Sequence, residues 1–158
     1  MALNQKDEIL SKPKVREAFR YLIDYDGLAS TVMKYYGIKQ QTIVPGGLPG
    51  SIDKNPYKLD IEKAKQLLTE AGYPNGFSKV YYATPVTPEY EVAQSLQANA
   101  AKAGIKLDLQ GGDHIGKFRN RQFEIFRLAP ATASRTRMRF SSPMRPTLTI
   151  PTRPNSSA

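Results

Sequence analysis

The chain has 158 residues, is 40% apolar and 23% charged, and carries a net charge of +9. Those proportions suit one soluble globular domain with a real core and exclude a disordered chain. Cysteine is absent, which excludes disulfides, thiolate metal sites and a cysteine nucleophile, and no apolar run reaches the length of a membrane span. Ala2-Leu3-Asn4 reads as the end of a short strand. Pro13 stands near a helix start, where its missing N–H costs little. Val15, Ala18, Phe19, Leu22 and Ile23 recur at helical spacing, so 13–24 reads as an amphipathic helix. A second helix is expected over 26–36, with Leu28, Val32 and Tyr35 on one face and Gly37 as its stop.

Residues 38–59 read as an irregular connection, broken by Pro45, Gly46, Gly47, Pro49, Gly50 and Pro56. Asp60 is a good N-cap for a helix whose face is Ile61, Ala64, Leu67, Leu68 and Ala71, with Gly72 as its stop. Pro74-Asn75-Gly76 is a tight turn. The Val-Tyr-Tyr core of 78–84 is a strand. Thr87 as cap, Pro88 at the first position and Glu89 and Glu91 in the first turn start a helix ending at Gly104. Ile105, Leu107 and Leu109 alternate with Lys106 and Asp108 as a half-buried strand. A short helix around 114–120 leads to a last strand over 122–128. From Ser78 onward the order is strand, helix, strand, helix, strand. That order predicts an α/β fold with a mainly parallel sheet flanked by helices.

Two segments carry a resemblance. One is Lys-Val-Arg-Glu-Ala-Phe-Arg-Tyr-Leu-Ile-Asp-Tyr-Asp-Gly-Leu at 14–28. The other is Asp60, Lys63, Ala64, Leu67, Leu68, Ala71, Gly72 and Tyr73, in the pattern Asp-x-x-Lys-Ala-x-x-Leu-Leu-x-x-Ala-Gly-Tyr. Together with the Leu3-Asn4 pair before the first helix, they resemble the second lobe of the family 5 extracellular solute-binding proteins, the peptide and dipeptide receptors of bacterial ABC importers. The resemblance covers about 2–128. It implies an incomplete lobe of a periplasmic-binding-protein-type receptor that closes on a peptide or small solute and docks on an ABC permease. It implies a binding protein and not an enzyme, with no cofactor. Most motif residues read as scaffold: Val15, Ala18, Leu67 and Leu68 as core, Asp24 and Asp26 as caps. Asn4 lies near the crossing between lobes and is the one candidate ligand-binding residue, although a backbone-capping role suits it better.

The chain starts where that second lobe starts, so the first lobe is expected to be missing and ligand binding by the chain alone to be weak. The N-terminus has no basic region followed by an apolar one. A secretory signal is therefore not expected, and the chain as written would stay in the cytoplasm although the family is periplasmic. A truncated sheet would leave an unpaired edge and invite self-association.

All 14 acidic residues and 18 of the 23 basic ones precede Pro130, and five arginines follow it. The chain is therefore divided into a lobe at 1–128 and a basic Ser/Thr/Arg/Pro-rich tail at 129–158, disordered or translated out of frame. Taking the third base of each codon with the first two of the next lets 134–139 read Pro-Asp-Pro-Asp-Ala, close to what the family places there.

Other chemistry is set aside on the residues. His114 is the only histidine, and Asp108 and Asp113 do not make a metal-ligand pattern with it. No nucleophile elbow surrounds any serine. The loop from Gly46 to Gly50 lacks the Lys-Ser/Thr of a phosphate loop. A nucleic-acid reading rests on Lys117, Arg119, Arg121, Arg127 and the tail arginines, for which a solvated basic face is the plainer account. A standalone interaction protein derived from a receptor lobe is the competing class.

Overall fold

The computed structural model describes residues 1–127, apart from Tyr36, Ile38, Ile43, 45–48, Asp53, Asp113 and the side chains of His114 and Ile115. The expectations for the tail at 129–158, for most of the glycine loop and for His114 as a ligand fall outside the described residues. The elements are β1 (Ala2–Leu3), α1 (Pro13–Tyr21), α2 (Tyr25–Ser30), α3 (Ile61–Glu70), β2 (Ser78–Ala83), α4 (Glu89–Lys102), β3 (Lys106–Gln110), α5 (His114–Arg119) and β4 (Ile125–Arg127). No helix among them is long and apolar enough to cross a membrane.

The four strands form one sheet in the order β1-β4-β2-β3. β2 runs parallel to β3 and to β4, so the expected mainly parallel sheet is present. β1 joins the outer edge of β4 antiparallel, with Ala2 opposite Phe126 and Leu3 opposite Ile125. Tyr81 and Tyr82 point to opposite faces of β2, and both are buried. This central strand is therefore covered on its two sides, as strands of parallel sheets usually are.

α1 begins at Pro13 without a side-chain cap and buries Val15, Ala18 and Phe19. It packs on α3, whose buried face is Ala64, Leu67 and Leu68. Each such large apolar side chain contributes about 1.5–3 kcal/mol by leaving water. Phe19 also meets Phe77, just ahead of β2, with ring centroids 6.4 Å apart. Asp60 caps α3 as expected, its carboxylate accepting from the Lys63 N–H at 2.8 Å. α4 covers the sheet with Val92, Ala93, Leu96 and Ala100.

Three helices end in the same way. After α3, Gly72 N–H donates to Thr69 and Tyr73 N–H to Leu68; after α4, Gly104 N–H donates to Ala101 and Ile105 N–H to Ala100. Both glycines have positive φ, 93° and 88°, which is the Schellman arrangement that satisfies the last carbonyls of a helix. After α5 the same two bonds form, from Arg121 to Phe118 and from Gln122 to Lys117. Here the left-handed position, φ 56°, is taken by Arg121, at a cost of about 1–2 kcal/mol for a side chain that glycine would avoid.

Two local expectations are corrected. The second helix stops at Ser30 instead of continuing to residue 36, and Tyr35 is 86% exposed rather than on a buried face. The Gly27 carbonyl accepts from the Thr31 N–H at 3.1 Å and also from the Ser30 and Thr31 hydroxyls at 3.0 and 2.6 Å; at Thr31 the backbone then leaves the helical region, φ −114° and ψ −93°, and Met33 N–H turns to the Leu28 carbonyl. α4 starts one residue later than expected. Pro88 sits in the cap position, and the Thr87 hydroxyl donates to Glu91 Oε1 at 2.7 Å instead of accepting from the helix backbone.

Candidate ligand-facing end of the sheet

In open sheets of parallel strands, ligands bind in the crevice beyond the carboxyl ends of the strands. In this fold those ends are Ala83, Gln110 and Arg127. The Arg127 guanidinium lies there in an ion pair with Glu89 at the start of α4, Nε to Oε2 2.9 Å. Both side chains are mostly buried, at 22% and 13% exposure, so the pair is held by the fold and not by chance contact. A pocket of about 210 Å³ opens beside it, lined by Tyr25, Leu28, Ala29 and Met33 from α2 and the turns after it, by Lys39 and Gln40, and by Val92 of α4.

α2 is set against this pocket by its cap. The Asp24 carboxylate accepts from Gly27 N–H at 2.9 Å, so close that a Cβ on residue 27 would sit 2.1 Å from Asp24 Oδ2. Lys39 is paired with Asp26 at 2.6 Å. That hydrogen bond, then the charge behind it, holds the Asp26 carboxyl below its usual range. Under the Arg127–Glu89 pair lies the Tyr81 hydroxyl, pushed up to about 12 by burial, with Arg127 opposing and Glu89 adding to the rise. Burial likewise raises Tyr25. The site therefore presents neutral phenols and one buried guanidinium whose countercharge is a single carboxylate. This chemistry suits the recognition of a polar or anionic group. Among the described residues, no three His, Cys, Asp or Glu side chains gather as metal ligands.

Asn4 lies at the opposite, amino end of the parallel strands. Its Nδ2 donates to the Phe123 carbonyl at 2.7 Å and its main-chain N–H to the Glu124 carbonyl at 2.9 Å, while Oδ1 accepts from Lys6 N–H at 3.0 Å. The side chain is used on the main chain at both ends, extending the β1–β4 pairing by one residue. Of the four cations read as a basic face, Arg127 is paired with Glu89 and Lys117 donates to the Tyr82 hydroxyl at 3.2 Å. The Glu89–Arg127 pair spans 38 positions. In the sequence its two members stand apart, as an acid in a helix's first turn and an arginine of a basic face, and no local pattern joins them.

The profile of the family described as bacterial extracellular solute-binding proteins, family 5 Middle, matches residues 1–147. The glutathione-binding protein GsiB of Pectobacterium atrosepticum is 30% identical over 114 residues, covering 72% of this chain and 22% of that protein. The dipeptide-binding protein of Escherichia coli is 33% identical over 115 residues, covering 69% and 22%. Among solved structures, the ABC transporter-associated periplasmic binding protein DppA of Helicobacter pylori, in complex with the peptide STSA, superposes with a TM-score of 0.72 at 28% identity, covering 79% of this chain and 25% of that one. The chain thus spans about a fifth of the length of the curated relatives it matches. Their names describe binding proteins and not enzymes, and the chain belongs to the bacterial extracellular solute-binding proteins of family 5.

Proposed function

We propose that this chain forms part of one lobe of an extracytoplasmic receptor that delivers peptides or peptide-like solutes to an ABC permease. Its contribution is the wall of the cleft at the carboxyl ends of β2 and β4. The observation that carries this reading is the family match over residues 1–147, with relatives named for glutathione and for dipeptides. Glutathione and dipeptides share a free carboxylate on a short flexible backbone, and a guanidinium recognises that group well. Arg127, already desolvated and turned by Glu89, is the side chain placed for it. Asn4 acts as a clamp between β1 and β4 rather than as a ligand contact.

A receptor of this kind buries its solute between two walls, and affinity depends on the burial and the convergent polar contacts of both. The chain spans 22% of such relatives, so the 158 residues by themselves should bind a dipeptide or glutathione no more tightly than about 1 mM, some 4 kcal/mol. Titration calorimetry with Met-Leu and with glutathione tests this, and micromolar binding to the purified chain overturns it.

For the tail we infer that residues after about 128 are translated out of frame. The support is the abrupt loss of acids after Glu124 and the Pro-Asp-Pro-Asp-Ala reading open to codons 134–139. Sequencing the coding DNA decides it: an early stop in the alternate frame, or codons that do not give that reading, ends the idea.

A further inference from the structure

At the amino end of the parallel strands, away from Arg127, a groove of about 530 Å³ runs between the chain leaving β1 and the turn from α5 to β4. Its floor is aromatic. Phe118 stacks on Phe126 with centroids 4.6 Å apart and meets Phe123 at 5.3 Å, yet Phe118 remains 36% exposed. Its rim is basic: Lys6, Arg119 and Arg121 line it, and no acidic side chain among the described residues does. The acids next in sequence, Asp7 and Glu124, are both turned to Lys79, at 2.5 and 3.2 Å. None of the three rim cations has an ion-pair partner among the described residues.

The backbone adds an independent sign. At the equivalent position after α3 and α4 the chain uses Gly72 and Gly104, and after α5 it uses Arg121 at φ 56°. Left-handed backbone under a long side chain is retained where surrounding structure or function holds it there. Here its effect is to put a cation on the groove's rim.

We propose that this groove is a docking site for a short acidic peptide segment carrying one apolar side chain, which rests on Phe118 while its carboxylates meet Arg119, Arg121 and Lys6. A single exposed ring with cations gathered around it fits such a segment. Single-stranded nucleic acid needs successive stacking platforms and a cationic track over several nucleotides, and Lys117, next in sequence to Phe118, is turned to the Tyr82 hydroxyl. The site lies at the other end of the sheet from the candidate solute wall, so it stands or falls separately from the transport reading.

The test uses the full 158-residue chain and three fluorescein-labelled probes read by anisotropy: Glu-Glu-Phe-Glu-Glu, Gln-Gln-Phe-Gln-Gln and a pentathymidine oligonucleotide. The acidic peptide should bind at least tenfold more tightly than the neutral one, and the difference should shrink as salt rises. Arg121→Gly should lower that affinity several-fold while raising the thermal midpoint, because it removes the cation and relieves the backbone together. Phe118→Ala should also weaken binding, and Lys102→Gln, on exposed α4, should leave it unchanged. Equal binding of the two peptides, or undiminished binding to a better-folded Arg121→Gly protein, overturns the proposal. Tighter binding of the oligonucleotide overturns it in favour of a nucleic-acid surface.

Discussion

Asn99, in the last turn of α4, donates from Nδ2 to the carbonyl oxygen of Leu22, 77 positions earlier, at 3.2 Å. Leu22 is the residue that closes α1, so its carbonyl is among those a helix leaves without an internal partner. Leu22 is fully buried and Asn99 is only 7% exposed, out of reach of bulk water. One amide thus satisfies the end of one helix from the inward face of another.

Replacing Asn99 by Ala or Leu should leave that carbonyl orphaned and cost about 1–3 kcal/mol. Urea denaturation monitored by circular dichroism would show it as a lowered midpoint. Gln94→Ala, one turn away on the exposed side of α4, should stay within about 0.5 kcal/mol of the parent.

The Lys79 ammonium joins three segments, pairing with Asp7 at 2.5 Å and Glu124 at 3.2 Å while only 11% exposed. For Asp7, burial works against the charged form. The bond to Lys79 and the N–H groups of Leu10 and Ile9 outweigh it and hold the carboxyl below its usual value. A depressed carboxyl stabilises the fold above its unfolded value of about 3.9. That stabilisation is lost as pH falls through the lower folded value. For Lys79, burial disfavours the ammonium, but its bonds to Asp7 and Glu124 raise it overall. Its stabilisation is complete below an unfolded value of about 10.4 and lost as pH rises through the higher folded one. Asp7→Asn should therefore flatten the acid limb of a stability profile, and Lys79→Met should flatten the alkaline limb and cost about 1–3 kcal/mol at neutral pH. Denaturant midpoints collected from about pH 2 to pH 11 would check both.

Gly76 and Gly72 both have positive φ, 72° and 93°, but their surroundings differ. A Cβ on residue 76 would lie 1.9 Å from the Gly104 carbonyl oxygen, while one on residue 72 meets nothing within 4 Å. Gly72→Ala should cost the backbone term alone, about 1–2 kcal/mol. Gly76→Ala should cost more than that, because the turn before β2 must move away from the end of α4. Thermal melts of the two variants side by side give the ordering, and equal losses would contradict the close approach.

The outer edge of β3 is partly covered. Lys106 N–H donates to Phe77 on the β2 side, so by alternation the main-chain groups of Leu107 and Leu109 face outward. The Gln97 side chain donates to the Leu107 carbonyl at 2.8 Å, which blunts the edge at one point. An edge with Leu109 still outward invites pairing with another chain. Sedimentation velocity should show association rising with concentration, and Gln97→Ala should move its onset to lower concentration. A monomer throughout, in both proteins, would show the edge to be closed.

Elements with strong local signals are legible in the sequence. Val15, Ala18 and Phe19 repeat at helical spacing, Asp60 caps and Gly72 stops α3, and Ile105, Leu107 and Leu109 alternate along β3. In each case the physics is contained within a few residues, so the sequence window holds it all. The segment after α2 is different. At Thr31 the backbone leaves the helical region, φ −114° and ψ −93°, so the apolar spacing beyond it no longer describes a helix face, and Tyr35 ended in solvent. The two family motifs were also legible, because they are scaffold and scaffold repeats its spacing.

Most of the helices, the strands, the mainly parallel order and the family are thus written in the chain. Periodicity, capping and turn chemistry act between near neighbours and leave their pattern in the chain. Packing alone sets β1 antiparallel along β4 and brings Glu89 to Arg127, Asp7 and Glu124 to Lys79, and Asn99 to Leu22. Those pairs lie 38 or more positions apart. Their partners are chosen by how helices and sheet pack so that buried charges and carbonyls meet, a condition that no stretch of sequence expresses alone.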